Sequence, residues 1–203
     1  MIKYLKNQFD FYGIKTPIRK ELIKDFTNIH GFPSYQELLK IIPELWELPQ
    51  REFQYTAIEL WMKAKNNLKP EDVELLQWCV INKSWWDTVD GLAASLAGHY
   101  FILYPDKIQS VTREWVDSDN MWLRRTAILF QLKYKEGTDE ELLFSYVKKL
   151  AHEKEFFIKK AIGWALREYS KTKPEVIKNF VRDNQLQPLS RVEALKVINR
   201  MQK

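Results

Sequence analysis

The stretch WLRRTAILFQLKYK, residues 122–135, decides the fold, because part of it returns elsewhere in the chain at a fixed distance. Its apolar residues are spaced three and four apart, which predicts an amphipathic helix. The tripeptide TAI at 126–128 repeats TAI at 56–58, and the interval of 70 positions is two steps of 35. About 35 residues is the length of one helix-turn-helix unit in an α-solenoid.

The same step reaches further small residues. One step from Thr56 reaches Gly91, one step from Thr126 reaches Ala161, and the next falls near Ala194. The segment FIKKAIGWALRE repeats the order aromatic, aliphatic, two basic, small that WLRRTAILFQL contains. The sequence therefore predicts an all-α fold, an α-solenoid of helical repeats, with a non-repetitive helical bundle as the alternative.

Helical periodicity extends over nearly the whole chain, and no convincing strand alternation is present. We predict ten to thirteen short helices, capped near Thr138, Asp139 and Ser190. The residues that punctuate the helical pattern are Pro17, Pro33, Pro43, Pro49, Pro70, Pro105, Gly137, Pro174 and Pro188.

The bulk composition is that of one folded, soluble domain. The chain has 203 residues, of which 45% are hydrophobic and 29% charged, and no stretch resembles a linker. We therefore predict a single domain over residues 1–203. Charges interrupt the apolar residues of the first segment, which fits neither a signal peptide nor a transmembrane helix, so a cytoplasmic protein is expected.

Metal and nucleotide cofactors are not indicated. The three histidines and Cys79 show no ligand spacing, and Cys79 lies in the apolar run LLQWCVI, where a buried structural thiol is expected. There are only six glycines and neither GxGxxG nor GxxxxGK[ST]. The expectation is no cofactor and no metal.

Charged residues recur with the same 35-residue step. From Asp90 it reaches Arg125 and then Lys160, and equivalent positions of successive repeats lie side by side in a solenoid. With a net charge of +5, this row predicts a basic concave surface, although a structural row of salt bridges is an alternative. The further basic residues of these helices or the next are Arg124, Lys133, Lys159, Arg167, Arg191 and Lys196.

The stretch NKSWWDTVDG, residues 82–91, places aromatic surface beside negative charge. Ser84 is predicted to cap a helix, which puts Trp86 and Asp90 four apart on one face and turns Trp85 inward. Asp90 lies beyond the first turn among apolar residues, where an unpaired carboxylate is costly.

A second indole belongs to the same neighbourhood. Trp164 follows Lys160 by one helical turn and is predicted to lie on the same side as Asp90 and Arg125. Two interpretations stay open at this point: a functional site at Trp86, Asp90 and Arg125, or a structural Asp–Arg pair.

At these residues the sequence resembles the AlkD-type DNA alkylation repair glycosylases, a family of HEAT-like repeat proteins. Four motifs in order carry the resemblance and span most of the chain: YLKNQFDFYGIKTPIRK, NKSWWDTVD, NMWLRRTAILFQLKYK and FFIKKAIGWALREYSK. Family members usually begin with another helix upstream of the first motif, so the resemblance implies that some DNA contacts are missing here.

The resemblance implies a monofunctional glycosylase of base excision repair that removes 3-methyladenine and 7-methylguanine from duplex DNA without flipping the base. Asp90 and Trp86 match the catalytic aspartate and tryptophan of the family, and Arg125 and Trp164 match its site arginine and second tryptophan. The alternative is a non-catalytic helical-repeat module that binds DNA structures or a protein partner.

DNA contacts are predicted along the basic row and in the first motif, with a monomer acting on alkylated double-stranded DNA and no membrane. Arg125 is suited to hold a backbone phosphate. The remaining predicted contacts are Tyr4, Lys15, Thr16, Lys20, Lys133, Lys159, Lys160 and Arg167.

Overall fold

The computed structural model describes residues 5–201, and within this range the fold is all-helical, as predicted. No strand is present among these residues; an isolated bridge joins Asp10 and Gln50. The helices are α1 Thr16–His30, α2 Tyr35–Glu47, α3 Arg51–Lys63, α4 Asp72–Ile81, α5 Trp86–Gly91, α6 Gly98–Leu103, α7 Ile108–Asp117, α8 Met121–Leu129, α9 Glu140–Leu150, α10 Phe156–Tyr169, α11 Pro174–Asp183, α12 Pro188–Leu195 and α13 Ile198–Met201.

The helices cluster into two compact units, of which the first ends at Asp72 and the second begins at Val73. The single domain over residues 1–203 stays a prediction. In the first unit α2 packs against α3. The Glu52 carboxylate, near the start of α3, accepts hydrogen bonds from the backbone N–H groups of Tyr12, Gly13 and Ile14 at 2.9–3.2 Å, which fixes the segment before α1.

Pro43 does not punctuate the chain as predicted, because it lies inside α2. A proline within a helix removes one backbone hydrogen bond and disfavours the helix. Here the apolar face holds the helix: Leu38, Ile42 and Trp46, four residues apart, have no exposed surface. At the start of α2, Ser34 and Glu37 form a reciprocal capping box.

In the second unit, one continuous helix runs from α5 to α6 through a π-helical segment, Leu92–Ala97. This segment packs on α8, α8 packs on α10, and α10 packs on α12. Helices α7, α9 and α11 lie between the members of this row along the chain. The repeat prediction is confirmed, and the small residues that revealed it, Ala127, Ala161 and Ala194, are all buried in the row.

Close approach of α10 and α12 depends on Gly163. A Cβ atom at this position would lie 2.6 Å from Cβ of Glu193 and 3.0 Å from the carbonyl oxygen of Ser190.

Ser190, predicted as a cap, instead lies within α12, and its hydroxyl donates to the Lys159 carbonyl at 2.9 Å. Of the predicted caps, Asp139 does cap a helix, α9, by accepting from the Leu142 N–H.

Substitution of Gly163 and of Gly91, two of the helical glycines of the second unit, should have opposite effects. Gly163→Ala forces α12 away from α10, and overpacking of this kind costs about 1–3 kcal/mol. Gly91→Ala meets nothing within 4 Å, so it should gain about 0.5–1 kcal/mol from helix propensity alone. Thermal unfolding of both variants checks this; equal shifts in Tm would contradict the packing role of Gly163.

Cys79 is fully buried, and burial raises the pKa of its thiol, as expected for a structural cysteine. Among residues 5–201, no helix is both long and apolar enough to cross a membrane. The same residues contain no group of three or more His, Cys, Asp or Glu side chains arranged to hold a metal ion.

Candidate active site

Four helices of the second unit, α5, α8, α10 and α12, line one cleft of about 390 Å³. The repeat places equivalent positions side by side, so residues about 35 apart in sequence meet here. The lining residues are Trp86 and Asp90 from α5, Arg125 from α8, Phe156, Phe157, Lys160, Trp164 and Arg167 from α10, and Glu193 from α12. The cleft therefore contains every side chain that the sequence singled out as catalytic.

Asp90 and Arg125 form a bidentate ion pair inside this cleft. Nε of Arg125 donates to Oδ1 of Asp90 at 2.7 Å, and a terminal nitrogen donates to Oδ2 at 2.9 Å. The other terminal nitrogen of Arg125 donates to the Phe157 carbonyl on α10. With its side chain only 5% exposed, Arg125 fixes the position of Asp90.

The Asp90 carboxylate keeps an edge toward the cleft, since its side chain is 17% exposed. Removal from water raises the pKa of Asp90 above its ordinary value, and the hydrogen bonds and charge of Arg125 oppose that rise. A partly desolvated, fixed carboxylate acts more strongly on a nearby cation than a solvated one, because the local dielectric is lower.

Two indoles flank the carboxylate. Trp86 lies one helical turn before Asp90 on α5, Trp164 lies on α10, and both are half-buried, so part of each ring faces the cleft. An aromatic cluster includes Phe157, which also lines the cleft: its ring lies 5.1 Å from that of Trp85 and 5.0 Å from that of Trp122. Trp85, predicted to turn inward, is half-buried, packs on the other two rings and does not line the cleft.

The start of α5 differs from the prediction. Ser84 does not cap this helix, because its hydroxyl donates to the Val80 carbonyl at 2.6 Å in the preceding helix α4. The helix begins at Trp86, with Trp85 extended before it. A serine hydroxyl can return to a carbonyl four residues back as readily as it caps forward, and the sequence pattern does not separate the two.

Two of the predicted DNA contacts, Lys160 and Arg167, line the cleft and share one acid. Nζ of Lys160 donates to Oε2 of Glu193 at 3.0 Å. Arg167 forms an ion pair with Oε1 of the same carboxylate. One acid from α12 therefore holds two bases of α10.

Of the other predicted contacts, those that the structure describes are not among the residues that line the cleft. Nζ of Lys133 donates to Oγ of Ser95 at 2.6 Å, on the π-helical segment, and the half-buried Lys159 accepts from Ser190 through its carbonyl. Lys15, Thr16 and Lys20 are exposed at the start of α1 in the first unit. Tyr4 lies outside the described residues.

Sequence reasoning missed three lining residues: Phe156, Phe157 and Glu193. The two phenylalanines stand in the motif FFIKKAIGWALREYSK, just before the paired lysines with one isoleucine between. Their position was known from the sequence, but nothing in the sequence showed that they line the cleft. Glu193 follows Lys160 by 33 residues. A fixed step of 35 passes over it, because the start of α12 follows the start of α10 by 32 residues, whereas the start of α10 follows the start of α8 by 35.

Comparison with known proteins agrees with the fold. The model of the DNA alkylation repair enzyme family matches residues 1–198. A solved structure, a predicted DNA alkylation repair enzyme from Enterococcus faecalis, is 33% identical, with a TM-score of 0.89 over 97% of this chain and 92% of that chain. No curated protein matches the chain.

Fold and cleft together define a helical-repeat protein with a carboxylate, an arginine and two indoles in one groove. The chain belongs to the DNA alkylation repair enzyme family, and its role is in the repair of alkylated DNA.

Proposed function

We propose that this protein is a monofunctional DNA glycosylase of base excision repair. Its substrates are cationic alkylpurines, 3-methyladenine and 7-methylguanine, in duplex DNA, and its catalytic residues are Asp90, Trp86, Trp164 and Arg125. The observation that carries the proposal is the Asp90 carboxylate, fixed by Arg125 at 2.7 and 2.9 Å in a cleft lined by two indoles.

The chemistry needs one carboxylate at the sugar and no acid at the base. Alkylation at N3 or N7 leaves the purine positively charged, so when the C1′–N9 bond breaks the bonding electrons neutralise the departing base. Positive charge then develops on the deoxyribose. Water adds its oxygen to C1′ and releases a proton, which completes the hydrolysis.

Asp90 is suited to stabilise the charge that appears on the sugar. A preorganised group aimed at developing charge stabilises the transition state more than the ground state, and this difference accelerates the reaction. Because Arg125 holds both carboxylate oxygens, Asp90 does not have to reorganise when the charge forms. The remaining lone pairs of the carboxylate can orient the attacking water.

The indoles contribute to the same charge. A cation near the face of a tryptophan is attracted by about 0.5–2 kcal/mol when the site is desolvated. Trp86 and Trp164 come from different helices, α5 and α10, and line the cleft with Asp90. Aromatic surface beside an aspartate, unusual in an ordinary helix, is what a cationic sugar requires.

Recognition without base flipping is part of the proposal. All the lining residues stand on consecutive helices of one row, so the cleft is a groove between neighbours. Selectivity then comes from the weakness of the glycosidic bond in cationic purines, since a groove between neighbouring helices does not enclose the base and test its shape.

One observation favours the alternative of a non-catalytic DNA-binding module. The Asp90–Arg125 pair has the geometry of a structural salt bridge that joins α5 to α8. In that case Asp90 serves only packing, and the protein binds DNA without releasing a base.

Release of free base distinguishes the two. Wild-type protein in excess is mixed with three matched duplexes, one carrying 7-methylguanine, one carrying the neutral base hypoxanthine at the same position, and one undamaged. Of the three duplexes, only the one that carries 7-methylguanine is expected to release its base. In a separate reaction, methylated DNA is expected to release 3-methyladenine. Binding to all three with release from none would support the non-catalytic module, and release of hypoxanthine would contradict selectivity by charge.

The pH dependence of base release should show an acid limb set by Asp90. The pKa of Asp90 is raised by burial, and catalysis needs the ionised form, so activity is present above that pKa and falls as the pH drops through it. The limb should lie above the ordinary aspartate value of about 3.9. Single-turnover rates between about pH 4 and pH 8 measure it; a limb at or below the ordinary value would contradict this role.

A further inference from the structure

The cleft contains a second carboxylate that the mechanism above does not use. Glu193 stands on α12, and its side chain is 11% exposed. It accepts from Lys160 and pairs with Arg167, whose side chains are 38% and 23% exposed. An acid in a groove for a polyanion lowers the attraction for phosphate, so its presence needs a reason.

Glu193 is fixed by packing rather than by its charge alone. Its Cβ and Cγ atoms lie against Gly163, where a Cβ atom would approach them to 2.6 and 3.1 Å. The Ser190 hydroxyl, three residues earlier, fastens α12 to the Lys159 carbonyl. Among Glu193, Lys160 and Arg167, the carboxylate is therefore held most rigidly, and the two more exposed cations can change their conformation.

The two cations retain donors that Glu193 does not use. A lysine ammonium has three N–H donors and a guanidinium has five, whereas a carboxylate accepts at about four sites. Lys160 and Arg167 together therefore have about four N–H donors left for another acceptor. Lys160 and Arg167, seven positions apart on α10, are both held at the cleft wall by the same anchor.

We infer that Glu193 is a positioning residue for DNA binding: it holds Lys160 and Arg167 together as one binding site for a backbone phosphodiester beside the lesion. This rests on the proposed function in so far as DNA occupies this cleft. Glu193 does not touch the DNA in this arrangement; it acts through the two cations. By fixing the two cations, Glu193 determines which phosphate the protein binds. The bound phosphate in turn determines where the deoxyribose lies relative to Asp90.

The test is the salt dependence of binding to an undamaged duplex, which requires no lesion chemistry. Glu193→Gln keeps the shape of the side chain, but it removes the negative charge and replaces one of the two oxygens that hold Lys160 and Arg167 with an NH2 group, which cannot accept. Binding should weaken several-fold at low salt although the protein gains positive charge, and the slope of log K against log salt should become shallower by about 0.9 for each phosphate that the protein no longer neutralises. Glu168→Gln is the matched control, since it removes the same charge from the helix that carries the two cations, α10, but from an acid that pairs with Lys171 instead.

A second step shows that Glu193 acts through the cations. In a protein that already carries Lys160→Gln and Arg167→Gln, adding Glu193→Gln should change neither the affinity nor the slope. Tighter binding or a steeper slope for Glu193→Gln alone would overturn the inference, because the acid would then merely reduce the charge. A lower Tm with unchanged binding would overturn it too.

Failure of the inference can be told from failure of the proposed function. If wild-type protein releases 7-methylguanine and Glu193→Gln binds duplex as tightly as wild type, only the positioning role falls. If wild-type protein shows no salt-dependent binding to duplex, the proposed function falls and the inference with it.

Discussion

Asp90→Asn is expected to reduce the release of 7-methylguanine by about 100-fold or more, since loss of one preorganised electrostatic group costs about 10²–10³ in rate. The asparagine keeps the size of the side chain and one oxygen for Arg125, so the groove stays in place. Duplex binding should hold or tighten, because a negative charge has left the site. Single-turnover base release and binding to undamaged duplex, measured on the same protein, separate the two effects.

The control for this substitution is Asp87→Asn, which removes the same charge from the same helix. Asp87 lies in the first turn of α5 and does not line the cleft, so base release should persist. Equal losses in both variants would mean that α5 needs its acids for folding. Full release by Asp90→Asn would leave the Asp90–Arg125 pair with a structural role only.

Arg125→Ala should give the largest loss of stability among substitutions in the cleft. It leaves the Asp90 carboxylate and the Phe157 carbonyl without their partner, and removal of one member of a buried ion pair costs about 3–5 kcal/mol. Because Asp90 retains some contact with solvent, the lower end, about 3 kcal/mol, is expected. Urea unfolding against Arg113→Ala, which removes an exposed arginine from α7, measures the difference.

Two further readouts follow from the same pair. Arg125 opposes the burial-driven rise in the pKa of Asp90, so its removal should raise that pKa further and move the acid limb of base release to higher pH. In the double variant with Asp90→Asn the buried charge is gone, and the loss of stability should be smaller than the sum of the single losses. Strict additivity, with no movement of the acid limb, would show that the two side chains do not depend on each other.

The repeat could be predicted from the sequence because buried small residues leave a periodic trace. Ala127, Ala161 and Ala194 are each buried in the row of packed helices, and this burial does not depend on the details of the loops. Pro43 could not be placed correctly, because α2 is maintained through it by tertiary burial of Leu38, Ile42 and Trp46, which local propensity does not register.

In the candidate site, the same periodicity brought Asp90, Arg125 and Lys160 together in advance, since side-by-side repeats convert a step of 35 into contact. The partners of these residues were harder to foresee. Glu193 lies 33 residues from Lys160, and the Phe157 carbonyl that receives Arg125 is a backbone group with no signature in the sequence. The capping role assigned to Ser84 failed for a related reason, because its hydroxyl had a competing backbone acceptor.

Because a π-helical segment follows Asp90, the number of residues in this helix is constrained as strictly as the identity of its side chains. A π turn accommodates one residue more than an α turn, and each residue of an α-helix rotates the chain by about 100°. Deleting one residue from Leu92–Ala97 would let a regular helix run through to α6, yet it would turn Asp90 by about that angle away from Arg125. Active members of the family should therefore accept substitutions in this segment far more readily than insertions or deletions.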